Sequence, residues 1–190
     1  MTTKYSILYV IDSAASRVLI DFTIGNIPIA IVLFGVSIVA IVFFSLVNFK
    51  NILNIYKRFF SDFKNLQLFI ILNLTVLAMW VLTYQGISLV GAAMSAYLFF
   101  MSQSLATSIL KNHQFKFKGI IFIVIFILFM IMAILSLKHV LHSIIPIFAG
   151  LSGFAYNYFS TKATNRIKLK TSETLACRYW ALTGVSHFPI

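Results

Sequence analysis

Apolar residues run in long, nearly unbroken stretches, separated by short clusters rich in lysine, arginine, asparagine and serine. A bilayer core takes about 20 apolar residues per helix, so stretches of about 18 or more with few charges are candidates to span it. Residues 27–49, 66–85, 87–110, 119–137 and 143–160 meet that standard. Two further stretches are interrupted: 5–22 by Asp12, Arg17 and Asp21, and 174–190 by Arg178 and His187. The pattern predicts an all-α integral membrane protein with about seven transmembrane helices. Pro28 suits a first helical turn, Thr171 or Ser172 followed by Glu173 suits another helix start, and a tight turn is expected at Gly86.

Composition agrees with the pattern. Of 190 residues, 61% are hydrophobic and 10% charged, whereas a soluble domain carries about 25% charged residues. A soluble globule is excluded. The net charge of +11 invites a nucleic-acid reading, but the cations are sparse points between apolar runs, so nucleic acid is not expected as a partner. Their placement is informative instead. With the N-terminus inside, Lys4, the cations of 50–65, those of 111–118 and those of 161–173 make up twelve of the fifteen basic residues, all on one side. Lys138 alone falls on the outer connections, while Arg17 and Arg178 lie within spans. This is the asymmetry of the positive-inside rule. The first apolar stretch, with two acids and an arginine, does not read as a cleaved signal, so the N-terminus should remain attached. The single cysteine, Cys177, excludes an internal disulfide framework.

Polar residues inside apolar stretches are the candidates for function. Asp12 near the middle of the first span is either a proton- or substrate-linked carboxylate or a shallow group paired with polar neighbours. Arg17 and Asp21, four apart, fit an interfacial ion pair. Asn73, Leu77, Trp80 and Tyr84 form one helical stripe, which either lines a cavity for organic solutes or supplies a helix contact and an interfacial aromatic belt. Gly91, Ser95, Ser102 and Ala106 form a small-residue seam, as do Ala149, Ser152, Gly153, Tyr156 and Ser160; close helix packing is the default explanation. Gln103, Tyr156 and Asn157 add polar groups that contact either a substrate or another helix. Arg178, near the inner end of the last span, fits a headgroup anchor, with a gating or coupling ion pair as the alternative. His113, His139, His142 and His187 lack metal spacing. No phosphate loop, catalytic triad or motif-linked carboxylate pair is present, so neither enzymatic chemistry nor a cofactor is expected.

The stretch Asn73-Leu-Thr-Val-Leu-Ala-Met-Trp80 continuing to Tyr84, then Gly91-Ala-Ala-Met-Ser95, resembles helices three and four of the EamA family in the drug/metabolite transporter superfamily. The run from Phe148 through Gly153 and Asn157 to Lys162, followed by Ser172-Glu-Thr-Leu-Ala-Cys-Arg178-Tyr-Trp180, is similar to the start of that family's second repeat. The resemblance implies a transporter of the cell (inner) membrane that moves a small organic metabolite by alternating access, built from two five-helix repeats of opposite orientation. Residues 1–138 would form the first repeat and 139–190 only the beginning of the second, so the chain would be truncated or completed by a partner or a second copy. Substrate contact would fall to Asn73, Trp80, Tyr84, Gln103, Tyr156 and Asn157, and coupling to Asp12 or Arg178. The chain departs from the family at Ser102-Gln103-Ser104, where a proline is usual, and in the loop 111–118, which lacks the usual acid. The alternatives are a non-transporting membrane protein held together by polar contacts, and another small polytopic carrier family.

Overall fold

A computed structural model describes residues 28–111 and 140–183, together with positions 124, 127, 128 and 131. The described residues are helical, without strands. The helices are α1 (Ile29–Val47), α2 (Ile52–Phe60), α3 (Phe63–Val90), α4 (Ala92–Lys111), α5 (Val140–Ile167), α6 (Thr171–Ala176) and α7 (Trp180–Thr183). The stretch 5–22, with Asp12, Arg17 and Asp21, lies outside the described residues, as do His113, His139 and His187. Of 119–137, Val124, Ile127, Leu128 and Ile131 are described; all four are helical and exposed.

Among the described residues, two helices are long and apolar enough to cross a membrane, over Ala30–Val47 and Phe63–Val90. In α1, Ile31, Val39, Phe43 and Leu46 are each more than half exposed, while Leu33 and Ser37 are buried. Such a helix, apolar on nearly every side and buried along a narrow stripe, suits a hydrocarbon solvent rather than a protein core. On α3, Leu68, Leu72, Asn73 and Val76 face inward and Ile70 and Leu74 outward.

The chain divides into two compact units. In the unit that holds Leu82–Phe154, helices approach through glycines. A Cβ placed on Gly150 of α5 would lie 2.0 Å from the Ser102 Oγ and 2.3 Å from the Phe99 carbonyl oxygen of α4. Gly86 of α3 likewise admits the Ser95 Oγ, 2.9 Å from where its Cβ would sit, and Pro146 at 3.1 Å. Gly86 is therefore a packing position inside the helix, and the turn expected there falls at Gly91, whose φ of +80° ends α3 in the left-handed region that glycine tolerates. Ser95, Ser102, Ala106 and Ala149 of the two small-residue seams are buried.

In the unit that holds Ile27–Val81 and Ala155–Ile190, α1 packs against α6 and α7, and α2 against α6. The connection 50–65, expected as a loop, folds into α2 because Ile52, Ile55 and Phe59 recur at helical spacing; Ile55 and Phe59 are buried, and Lys57 and Arg58 face outward. The continuous helix expected from residue 174 is not formed. The chain instead makes α6, turns through Cys177–Tyr179 and begins α7. At the close of α5, Lys168 adopts φ 55° and the Leu169 N–H bonds the Thr164 carbonyl, a Schellman-type end that starts the turn into α6. The Glu173 carboxylate then accepts the Lys170 N–H at 2.8 Å, fixing the first turn of α6.

Adding a methyl group at Gly150 forces α4 and α5 apart. Gly150→Ala should lower the stability of the detergent-solubilised protein by about 1 to 3 kcal/mol, while Gly35→Ala, where a Cβ meets nothing within 4 Å, should be neutral or stabilising by up to about 1 kcal/mol. Thermal unfolding of the two variants side by side measures the difference.

Candidate functional site

Three of the sequence's candidate residues, Asn73, Tyr156 and Arg178, meet at the interrupted segment α6–α7. An interrupted helix leaves carbonyls free at the end of its first part and N–H groups free at the start of its second. Asn73, buried on α3, serves both. Its Nδ2 donates to the Cys177 carbonyl at 2.9 Å, and its Oδ1 accepts the Ala181 N–H at 3.2 Å. The same Nδ2 also donates to the Phe69 carbonyl one turn back on α3, at 3.0 Å, which fixes the rotamer. One amide thus closes both sides of the break.

Arg178 sits within the turn. Its guanidinium donates to the hydroxyls of Tyr156 on α5 and of the adjacent Tyr179. Its Cζ lies 5.1 Å from the Tyr156 ring centre and 4.6 Å from that of Tyr179, within cation–π range. Both tyrosines are buried, and the Nε of Arg178 is enclosed with no hydrogen-bond partner among the described residues. The Arg178 side chain is therefore drawn inward to α5.

Further bonds hold the segment in place. Trp180 Nε1 donates to the Tyr56 hydroxyl of α2 at 2.7 Å, and that hydroxyl in turn donates to the Ala176 carbonyl over a longer 3.4 Å. Burial, and then the neighbouring Cys177, push the Tyr56 phenol up to about 12, so it remains a protonated donor at neutral pH. Asn48, at the end of α1, donates to the Ser172 carbonyl at 3.1 Å and accepts the Ser172 hydroxyl at 3.3 Å. Arg166 reaches back to Asp62 at 3.0 Å and to the Asn65 side chain at 2.7 Å, an exposed tie worth little by itself.

Of the residues singled out from sequence, Asn73, Tyr156 and Arg178 therefore converge on one turn. Trp80 is half-buried two turns further along α3, and Asn157 is exposed. Tyr84 is fully buried, and Gln103 of α4 is half-buried; both belong to the other unit. Asp12 lies outside the described residues. Sequence reasoning missed Tyr56, Tyr179 and Trp180. The signal for Tyr56 was available in the apolar spacing of α2, and the other two flank the break that the expected continuous helix concealed. Among the described residues, no group of His, Cys, Asp or Glu side chains could hold a metal ion.

Cys177 reports on the break, since it is buried and is the chain's single thiol. Asn73→Ala removes the amide that serves both ends and leaves those groups unpaired, at about 1 to 3 kcal/mol each. N-ethylmaleimide should then modify Cys177 about ten to a hundred times faster than in the wild type. Asn157→Ala, at an exposed position, should leave that rate unchanged. Equal rates in the wild type and Asn73→Ala would remove Asn73 from this role. Comparison with protein-family models, with curated proteins and with solved structures returns no match.

Proposed function

We propose that this protein is a multi-pass carrier of the cell membrane, with its N-terminus and its basic connections on the cytoplasmic side, that moves a small organic metabolite by alternating access. The observation that carries the reading is the interrupted segment α6–α7, held open by Asn73 and presenting Arg178 to Tyr156. Irregular backbone at membrane depth is tolerated where protein or an aqueous cavity covers it, and interrupted helices form the binding elements of many secondary transporters. Asn73 lies nine residues beyond Lys64 and Tyr156 six before Lys162. At 1.5 Å per residue these two residues stand roughly 9 to 14 Å along α3 and α5 from those cations.

The EamA-like order of features supports the same reading and adds the inverted second repeat, which residues 139–190 would begin. The resemblance would assign solute contact to Asn73, Trp80, Tyr84, Gln103, Tyr156 and Asn157, with a second copy or a partner chain supplying further helices. One observation favours the alternative of a non-transporting membrane protein. The amide of Asn73 is fully occupied by protein groups, as it would be if polar residues served only to bind helices together.

Two measurements test the proposal. With Cys177 replaced by serine, single cysteines at Lys57 and Lys168 should react with an impermeant maleimide only after intact cells are opened, whereas one at Lys138 should react in intact cells. Labelling of all three in intact cells would overturn the orientation. The full chain in proteoliposomes should accumulate labelled solutes from a metabolite mixture above empty vesicles, and Asn73→Ala should reduce that uptake at least about tenfold. Uptake equal to empty vesicles would leave the non-transporting reading.

A further inference from the structure

We infer that Arg178 is an anion-recognition residue, taking the carboxylate or phosphate of an organic anion into the guanidinium fork held by Tyr156 and Tyr179. The inference deepens the carrier reading and rests on it for the route by which a solute arrives. It stands on three observations. The first is charge. Arg178 carries a guanidinium cation, and among the described residues neither acid forms a salt bridge with it. Asp62 pairs with Arg166, and the Glu173 carboxylate accepts the Lys170 N–H.

The second is the nature of its partners. Both bonded acceptors are phenol oxygens, neutral groups that orient the fork without cancelling its charge. A partly buried cation whose bonded partners are neutral is costly, and such residues mark ligand or ion pathways in membrane proteins. The third is unused capacity. The Nε donor is enclosed and has no acceptor among the described residues. An oxyanion that engages Nε and one terminal nitrogen makes the parallel pair of bonds for which arginine is suited, displacing one phenol. The two aromatic rings beside Cζ would then flank the head of the ligand. A lipid anchor predicts a different arrangement, with the head of the side chain extended toward the membrane surface.

The test uses the full chain in nanodiscs of zwitterionic lipid, with benzoate, inorganic phosphate and the neutral isostere benzamide as probes. Calorimetric titration should show benzoate or phosphate binding at least about tenfold more tightly than benzamide. Arg178→Gln should abolish that preference, and Arg178→Lys should keep the charge but weaken binding of the preferred anion at least about tenfold through loss of the fork. Whether benzoate or phosphate is preferred identifies the anion class. Should Arg178→Gln fail to fold, Arg178→Lys decides: anion affinity equal to that of the wild type would overturn the assignment. Equal binding of benzoate and benzamide, unchanged affinity in both Arg178 variants, or retention of anionic phospholipid by Arg178 with no binding of soluble anions would each overturn it as well. Anion binding without uptake in proteoliposomes would remove the carrier reading and leave this site standing. Uptake that ignores Arg178, with no anion binding, would do the reverse.

Discussion

The side-chain amide of Asn73 is one planar group that meets the needs of two helix ends at once, donating to the carbonyl of Cys177 and accepting from the N–H of Ala181. In water such ends find solvent, and their pairing contributes only about 1 kcal/mol. In apolar surroundings the alternative is an orphaned backbone group at several kcal/mol, so the bond decides whether the chain can break at that place at all. The rest of the segment follows from the break. Because the helix stops at Cys177, Arg178 emerges from a turn rather than from a helix face, and its side chain can reach Tyr156 on α5. Because the chain restarts at Trp180, that indole meets Tyr56 on α2, and α7 lies against α1.

The two compact units use different means of packing. In Leu82–Phe154 the contacts depend on missing atoms: Gly150 lets a serine hydroxyl and a backbone carbonyl of α4 come where a side chain would stand, and Gly86 does the same for Ser95 and Pro146. Such close approach brings the helix backbones into dispersion contact along their length. In the other unit the contacts depend on polar groups at helix ends, with Asn48, Tyr56 and Asn73 each bonded to the α6–α7 segment. Packing of the first kind resists change at every point along the seam. The second kind concentrates stability in a few directional bonds, and a segment held that way can exchange one set of partners for another at modest cost.

Sequence patterning made the apolar helices over Ala30–Val47 and Phe63–Val90 legible because each is a long run with few charges. It also marked Asn73, Tyr156 and Arg178, since a polar side chain in an apolar run needs a partner wherever it lies. What it could not resolve was set by tertiary contact. Gly86 and Gly91 are equally plausible turns in one dimension; Ser95 and Pro146, distant in sequence, keep Gly86 in the helix and leave the turn to Gly91. The run from 174 reads as a continuous span on hydropathy, and only a partner on α3 makes its interruption affordable. The helix α2 is legible in principle from Ile52, Ile55 and Phe59, but Lys50, Lys57 and Arg58 make the same stretch read as a polar connection.

That concentration of cations bears on Arg178. The chain has fifteen basic residues and four acidic ones, and an exposed cation at a helix end keeps its head in water at little expense. Arg166 is of this exposed kind, with a carboxylate partner in Asp62. Arg178 differs in both respects: its head is drawn toward α5, and its observed partners are phenols. A neutral side chain could pack between Tyr156 and Tyr179 without the desolvation of a guanidinium. A charge at that place, together with rings and hydroxyls that fix the fork without neutralising it, suits a partner that brings its own negative charge and leaves again.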